Sequence, residues 1–173
     1  MKVIFLDFDG VINNLNSINS VNSKNIKCLL KIIEETKAKI VVISSIKYSL
    51  QRQYKSNYKK TTFYKYVEEL KKYNIEIYDI TPYVDENREL EIIEYMKNHP
   101  EIEEFLILDD DYIIEYLKEH QVFLDLYSGI TEEHIKPSLN ILNGDLGFYP
   151  SNFDINESLE KRLIRINKNY KRQ

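Results

Sequence analysis

Short, continuous apolar runs recur along the chain, and a polar residue follows most of them. The clearest runs are residues 3–6, 40–43, 105–108 and 122–124, and residues 75–80 form a weaker run with alternating character. A continuous apolar run is typical of a strand that is buried on both faces of a parallel sheet. The pattern therefore predicts five short strands.

The segments between these runs repeat apolar residues at a spacing of three and four, which predicts helices. Ser23 is the expected N-cap of the first helix, and Pro137 is expected to kink or split a later one. The predicted helices are residues 24–37, 61–73, 88–98, 111–120 and 131–142, with a last one at about 156–169. Alternating strands and helices predict an α/β fold: a Rossmann-like three-layer sandwich around a central, mainly parallel sheet.

The chain length of 173 residues suits one domain. We expect it to occupy residues 1–150, with a small basic insertion at about 46–73. A basic helix in residues 151–173 would pack on this domain or extend from it. Cys28 is the one cysteine, so no internal disulfide and no cysteine metal site is expected. The first residues lack the apolar core of a signal peptide and no apolar stretch is long enough to span a membrane, which favours a cytoplasmic protein.

Polar residues that could bind a metal or take part in catalysis follow three of the predicted strands. Ligands of open α/β sheets bind at the carboxyl ends of the strands. Carboxylates gathered at one edge repel one another unless a cation holds them, and a set of oxygen ligands selects a hard cation such as Mg²⁺. These residues are Asp7 with Asp9, Ser44 with Ser45, and Asp109 with Asp110.

The order and spacing of these residues resemble the haloacid dehalogenase-like (HAD) hydrolase superfamily over about residues 1–142. Residues 5–11 (FLDFDGV) resemble its first motif, Ser44 its second, and Asp109-Asp110 its fourth. Ser44-Ser45, Arg88 at a helix start, residues 107–111 (ILDDD) and residues 129–131 (GIT) are similar to the small HAD domains associated with RNA-repair proteins. Those domains usually carry a Trp-Arg pair after the serines, where this chain has Ile46-Lys47.

The resemblance implies an Mg²⁺-dependent phosphatase that hydrolyses a phosphomonoester through an aspartyl-phosphate. Asp7 would be the nucleophile, and Asp9 would protonate the leaving oxygen and then deprotonate water. Ser44 would donate to a phosphoryl oxygen, and Gly10 would let the backbone turn beside the phosphate. The Mg²⁺ would be held by Asp7, the main-chain carbonyl of Asp9, and Asp109 or Asp110.

The superfamily also places a cation beside the phosphate. Arg88 is the first candidate, because a positive charge at a helix start opposes the helix dipole and so suggests another reason for its presence. Its alternative is a solvated arginine that pairs with Glu91 or Glu94. Lys47 is the second candidate cation, and Ser45 would bind substrate in place of Ser44 if the strand ran one residue longer.

The substrate is less defined than the chemistry. The spacing of the motifs leaves room for a minimal cap or none, so a large substrate or a closing partner would fit. Residues 47–72 hold eight Lys or Arg against two Glu, interleaved with aromatic residues. Single-stranded nucleic acid suits that mixture, and a solvated helix with its aromatics on the core is the alternative. A small-metabolite phosphatase and a non-catalytic metal- or phosphate-binding module also remain open, as does the oligomeric state.

Overall fold

A computed structural model describes residues 1–15, 17, 20–48, 50, 61–111 and 116–145. Within this part, five parallel strands form one sheet in the order β3-β2-β1-β4-β5. The elements are β1 (Lys2–Leu6), α1 (Ser23–Thr36), β2 (Lys39–Val42), α2 (Thr62–Lys71), β3 (Ile77–Ile80), α3 (Arg88–Asn98), β4 (Glu104–Asp109), β5 (Gln121–Phe123) and α4 (Glu132–Leu142), with 3-10 turns at Ser45–Lys47 and Lys118–His120. The predicted Rossmann-like α/β architecture is confirmed.

Strand β1 lies at the centre of the sheet and sets the position of the site. Its last residue, Leu6, pairs with Val42 of β2 and with Leu108 of β4. The N–H of Asp7 then donates to the carbonyl of Leu108 at 3.0 Å, and the N–H of Ile43 donates to the carbonyl of Leu6 at 3.0 Å. These bonds bring the ends of three neighbouring strands to the same level.

The two faces of the sheet are buried under different helices. Val3 and Phe5 of β1 pack with residues of α3, while Ile4 and Leu6 point to the face that α1, α2 and α4 cover. Alternate side chains of a strand point to opposite faces, so a strand covered on both sides must be apolar throughout. All four of these residues are fully buried, which accounts for the continuous runs in the sequence.

Two local predictions were wrong, and a third is narrowed. Asn22, and not Ser23, caps α1, because its side chain accepts the N–H of Lys24. Residues 116–120 form a bend and a 3-10 turn instead of an α-helix. Glu89 explains this difference, since its Oε1 accepts the N–H groups of residues 116 and 117 at 2.6 and 2.8 Å, in place of helical carbonyls. Helix α4 continues through Pro137 and is not split.

The predicted insertion contributes elements of the sandwich in its described part. Between Ser45 and Arg88, the described residues form a 3-10 turn, α2 and β3, and α2 packs on the core. This arrangement agrees with a minimal cap or none. Residues 51–60, and the predicted basic helix in residues 151–173, lie outside the described part of the chain. The helices that are described are all too short or too polar to cross a membrane.

Candidate active site

Three carboxylates meet at the carboxyl edge of the sheet. Asp7 directly follows β1, Asp109 ends β4, and Asp110 comes next. One carboxylate oxygen from each lies within 4.8 Å of the other two. Asp7 and Asp109 are buried and Asp110 is half-buried. The structure therefore brings together three of the predicted metal ligands, because adjacent parallel strands end side by side.

Burial and mutual repulsion disfavour the charged form of these acids. Burial raises the pKa of Asp7 to about 6, with Arg88 opposing the rise and Asp109 adding to it. Burial also raises the pKa values of Asp109 and Asp110. A cluster of this kind holds its charge more easily when a cation is present.

Arg88 contacts two members of the cluster. Its Nη1 donates to Oδ2 of Asp109 at 2.6 Å and to Oδ2 of Asp7 at 3.3 Å. Arg88 opens α3 as predicted, and the N-cap Asn87 accepts the N–H of Leu90 at 3.0 Å. The alternative pairing with Glu91 or Glu94 is not what the structure shows, since these two pair with Lys47 and Lys97.

The residues at this edge fit a hard divalent cation. Oδ1 of Asp7 is buried and has no hydrogen-bond partner among the described residues, and a buried polar atom of this kind calls for a partner such as an ion or a water. Gly10 lies against the Asp110 side chain and has a positive φ of 70°. A Cβ at Gly10 would collide with the Asp110 carboxylate and lie 2.9 Å from its Cβ. All donors are oxygens, the ligand type that Mg²⁺ takes.

The two serines after β2 differ in exposure. Ser44 is buried, and it is near enough to Asp7 that its hydroxyl acts to lower the pKa of that carboxyl. Ser45 is exposed and begins the 3-10 turn. Ser44 is thus the serine on the side of the acidic cluster, as its place at the strand end predicts.

Lys47 is buried in an ion pair behind the cluster. Its Nζ lies 2.5 Å from Oε2 of Glu91 and also donates to the hydroxyl of Thr81. Oε1 of Glu91 accepts the hydroxyl of Tyr48 at 2.8 Å and the N–H of Val84 at 3.3 Å. Burial lowers the pKa of Lys47 despite its partner. Lys47 thus joins the turn after β2 to α3, and Arg88 is the predicted cation that contacts the acids.

Asp9 is exposed and lies outside the group of three carboxylates. Its Oδ1 accepts hydrogen bonds from Nδ2 of Asn13 and from the hydroxyl of Tyr66, both at 2.7 Å. Burial raises the pKa of Tyr66, and the bond to Asp9 adds to the rise. Sequence reasoning missed Asn13 and Tyr66 as site residues. One signal was available, because a tyrosine on the apolar face of a predicted helix requires a polar partner for its hydroxyl.

The basic, aromatic segment is partly accounted for by ordinary contacts. Phe63 and Tyr66 are buried, with ring centroids 5.9 and 4.9 Å from that of Phe8. Lys71 and Lys72 pair with the glutamates three residues before them. In the described part of the segment, these contacts agree with the alternative of core aromatics beside solvated charges.

A parallel α/β sandwich with an FLDFDGV motif at the end of its central strand β1, a serine after β2 and paired aspartates at the end of β4 defines a domain of the HAD-like hydrolase superfamily. Within that class, the chain belongs to the family described as the HAD domain in Swiss Army Knife RNA repair proteins, whose sequence model matches residues 3–135. The match covers every predicted site residue and confirms the resemblance. No curated protein and no solved structure matches the chain.

Proposed function

We propose that the protein is an Mg²⁺-dependent phosphatase that hydrolyses a phosphomonoester through an aspartyl-phosphate on Asp7. The buried cluster of Asp7, Asp109 and Asp110 beside Arg88 is the observation that carries this proposal. Membership of the HAD-like superfamily supports the same chemistry. Asp9 supports a phosphatase in particular, because an acid two residues after the nucleophile can donate a proton to the leaving oxygen.

The chain's own residues divide the work as follows. Asp7, the main-chain carbonyl of Asp9 and Asp110 would hold the metal. Asp110 is favoured over Asp109, whose two carboxylate oxygens already accept bonds from Arg88 and from the N–H of Asp111. When bound, Mg²⁺ would neutralise charge on the phosphate and so reduce its repulsion of the carboxylate.

The reaction proceeds in two displacements at phosphorus. The Asp7 carboxylate forms a bond to phosphorus while the bond to the leaving oxygen breaks, and that oxygen takes a proton from Asp9. A water molecule then attacks phosphorus and gives a proton to Asp9, and the Asp7 carboxylate is released. Ser44 donates to a phosphoryl oxygen, and Arg88 keeps the Asp7 carboxylate oriented through Oδ2.

The proposed substrate is a terminal phosphate on a nucleic acid. The family description, which names RNA repair proteins, supports this choice. The described residues between Ser45 and Arg88 form no separate cap over the sheet edge, so a large substrate could approach. The basic segment adds little support, since Lys47, Lys71 and Lys72 are paired with glutamates and Phe63 and Tyr66 are buried in the core.

Phosphate release by the wild type and by Asp7→Asn, in Mg²⁺ and in EDTA, tests the proposal. The substrates are an aryl phosphate, mononucleotides, a sugar phosphate, and RNA and DNA oligomers with 3′- or 5′-phosphates. We expect turnover only with both Mg²⁺ and Asp7, and fastest on the oligomers. Asp145→Asn, at an exposed position after α4, is the control for the same chemical change. A folded wild type that releases no phosphate from any substrate overturns the proposal, and a preference for mononucleotides or the sugar phosphate overturns the nucleic-acid part.

A further inference from the structure

The exposed Asp9 carboxylate belongs to a hydrogen-bond network in which Asn13 and Tyr66 are bonded to it and to each other. Nδ2 of Asn13 donates both to Oδ1 of Asp9 at 2.7 Å and to the hydroxyl of Tyr66 at 2.6 Å. The Tyr66 hydroxyl in turn donates to the same Oδ1 at 2.7 Å. Oδ1 of Asn13 accepts the N–H of Gly10 at 2.9 Å. The network therefore ties the Asp9 side chain to the turn that follows β1.

Tyr66 reaches this network from a rigid position. It lies on the face of α2 that also buries Phe63 and Leu70, and the Thr61 side chain caps that helix by accepting the N–H of Tyr64 at 3.2 Å. The residue is 1% exposed and its ring lies against Phe8, with the centroids 4.9 Å apart. A ring packed in this way leaves its hydroxyl only one place to point.

The hydrogen bonds of the network restrict the orientation of the Asp9 side chain, which contact with solvent alone would leave free. An exposed aspartate rotates freely about its side-chain bonds, and each orientation that points away from the substrate is unproductive. Both donors fall on Oδ1, and the described residues provide no hydrogen bond to Oδ2. Oδ2 is therefore the oxygen on which a proton can be carried to the leaving group.

We propose that Tyr66 and Asn13 are positioning residues for Asp9, which hold Oδ1 so that Oδ2 faces the leaving-group oxygen. This inference rests on the proposed phosphatase function. It also assigns a role to α2, which lies between the second motif and Arg88 in the chain. This helix contributes Tyr66, a positioning residue that lies outside the sequence motifs. A positioning role of this kind requires a rigid supporting side chain, and the burial of Tyr66 provides one.

The test uses two phosphomonoesters that differ in their need for an acid. A simple alkyl phosphate must have its leaving oxygen protonated, whereas 2,4-dinitrophenyl phosphate releases a stable anion. We expect Tyr66→Phe to lower kcat/KM about tenfold on the alkyl phosphate and less than about twofold on the dinitrophenyl ester. The variant keeps the packed ring, so it should fold. The parameter kcat/KM is used because it reports the formation of the aspartyl-phosphate and not its later hydrolysis.

Tyr95→Phe is the matched control. Tyr95 is also buried, and its hydroxyl also donates to a carboxylate, Oδ2 of Asp79, at 3.0 Å. It lies in α3 and its ring packs on Phe5, so its variant should leave the ratio between the two substrates unchanged. In an Asp9→Asn background, Tyr66→Phe should cause no further loss, because the group that it positions is gone.

Equal losses on both esters for Tyr66→Phe, or a further loss in the Asp9→Asn background, would show a structural effect and overturn the inference while the phosphatase function stands. A wild type without Mg²⁺-dependent turnover on either ester would overturn the proposed function and this inference together. The two failures are thereby distinguished.

Discussion

The buried charge of Asp7 should destabilise the metal-free protein. The pKa of Asp7 rises from 3.8 to about 6, chiefly through burial. In the unfolded chain the group loses its proton near pH 4, but the folded chain keeps the proton until about pH 6. Stability therefore falls as the pH rises between these values and stays low above them. Two pKa units correspond to about 3 kcal/mol in the free energy of unfolding.

Replacement by asparagine removes this cost and should reveal it. We expect Asp7→Asn to raise the free energy of unfolding by up to about 3 kcal/mol at pH 8, and by less than about 1 kcal/mol at pH 4, where the carboxyl is still protonated in the folded chain and only partly ionised in the unfolded chain. Urea unfolding in EDTA at the two pH values measures the difference. Arg88 keeps its 2.6 Å bond to Asp109 in the variant, so it is not left unpaired.

Addition of Mg²⁺ should reverse the order of stability at pH 8. The ion would stabilise the wild type, whose cluster is charged, much more than the variant. Asp145→Asn is the control and should show neither effect. An equal gain for Asp7→Asn at pH 4 and pH 8, or a loss at pH 8 in EDTA, would refute the reasoning that a buried charge at Asp7 is the source of the instability.

Two further predictions concern the surroundings of the cluster. Lys47→Met should lower the free energy of unfolding, measured in urea, by about 3–5 kcal/mol, because Glu91 stays buried without its cation. Adding Glu91→Gln should restore part of that stability. If Lys47→Met causes no loss, the result would contradict the buried pair. Gly10→Ala should cost about 1–2 kcal/mol for its positive φ and also weaken Mg²⁺ binding, measured by calorimetry, because the new Cβ meets Asp110. Gly144→Ala is its control: φ is 73° there and the neighbour is the end of the Glu104 side chain, so a similar loss of Mg²⁺ binding in both variants would contradict the explanation.

The sheet and its acidic edge were predictable because they depend on patterns within short segments. A continuous apolar run marks each buried strand, and the residue after it must lie at the sheet edge. Asp7, Ser44 and Asp109 could therefore be placed together without any knowledge of distant contacts. Arg88 was found in a similar way, since a cation at a helix start is locally unfavourable.

The remaining features depend on which distant residues meet. Glu89 accepts hydrogen bonds from the N–H groups of residues 116 and 117, and no pattern in the local sequence predicts that contact. The basic segment looked like one surface, but Lys47 belongs to a buried pair with Glu91 and Tyr66 to the Asp9 network. A side chain's charge or ring predicts that it needs a partner, and only the folded chain shows which partner it finds.

The central position of β1 has a consequence for the order of events during synthesis. This strand leaves the ribosome before the other four, and it pairs with β2 within about forty residues, yet its other neighbour, β4, begins at Glu104. Until then, one edge of the first strand is open to wrong partners. Asp109 and Asp110 reach Asp7 only when β4 pairs with β1, so a nascent chain that lacks β4 cannot form this cluster of three carboxylates. Binding of a divalent ion would therefore report that the sheet is complete up to β4.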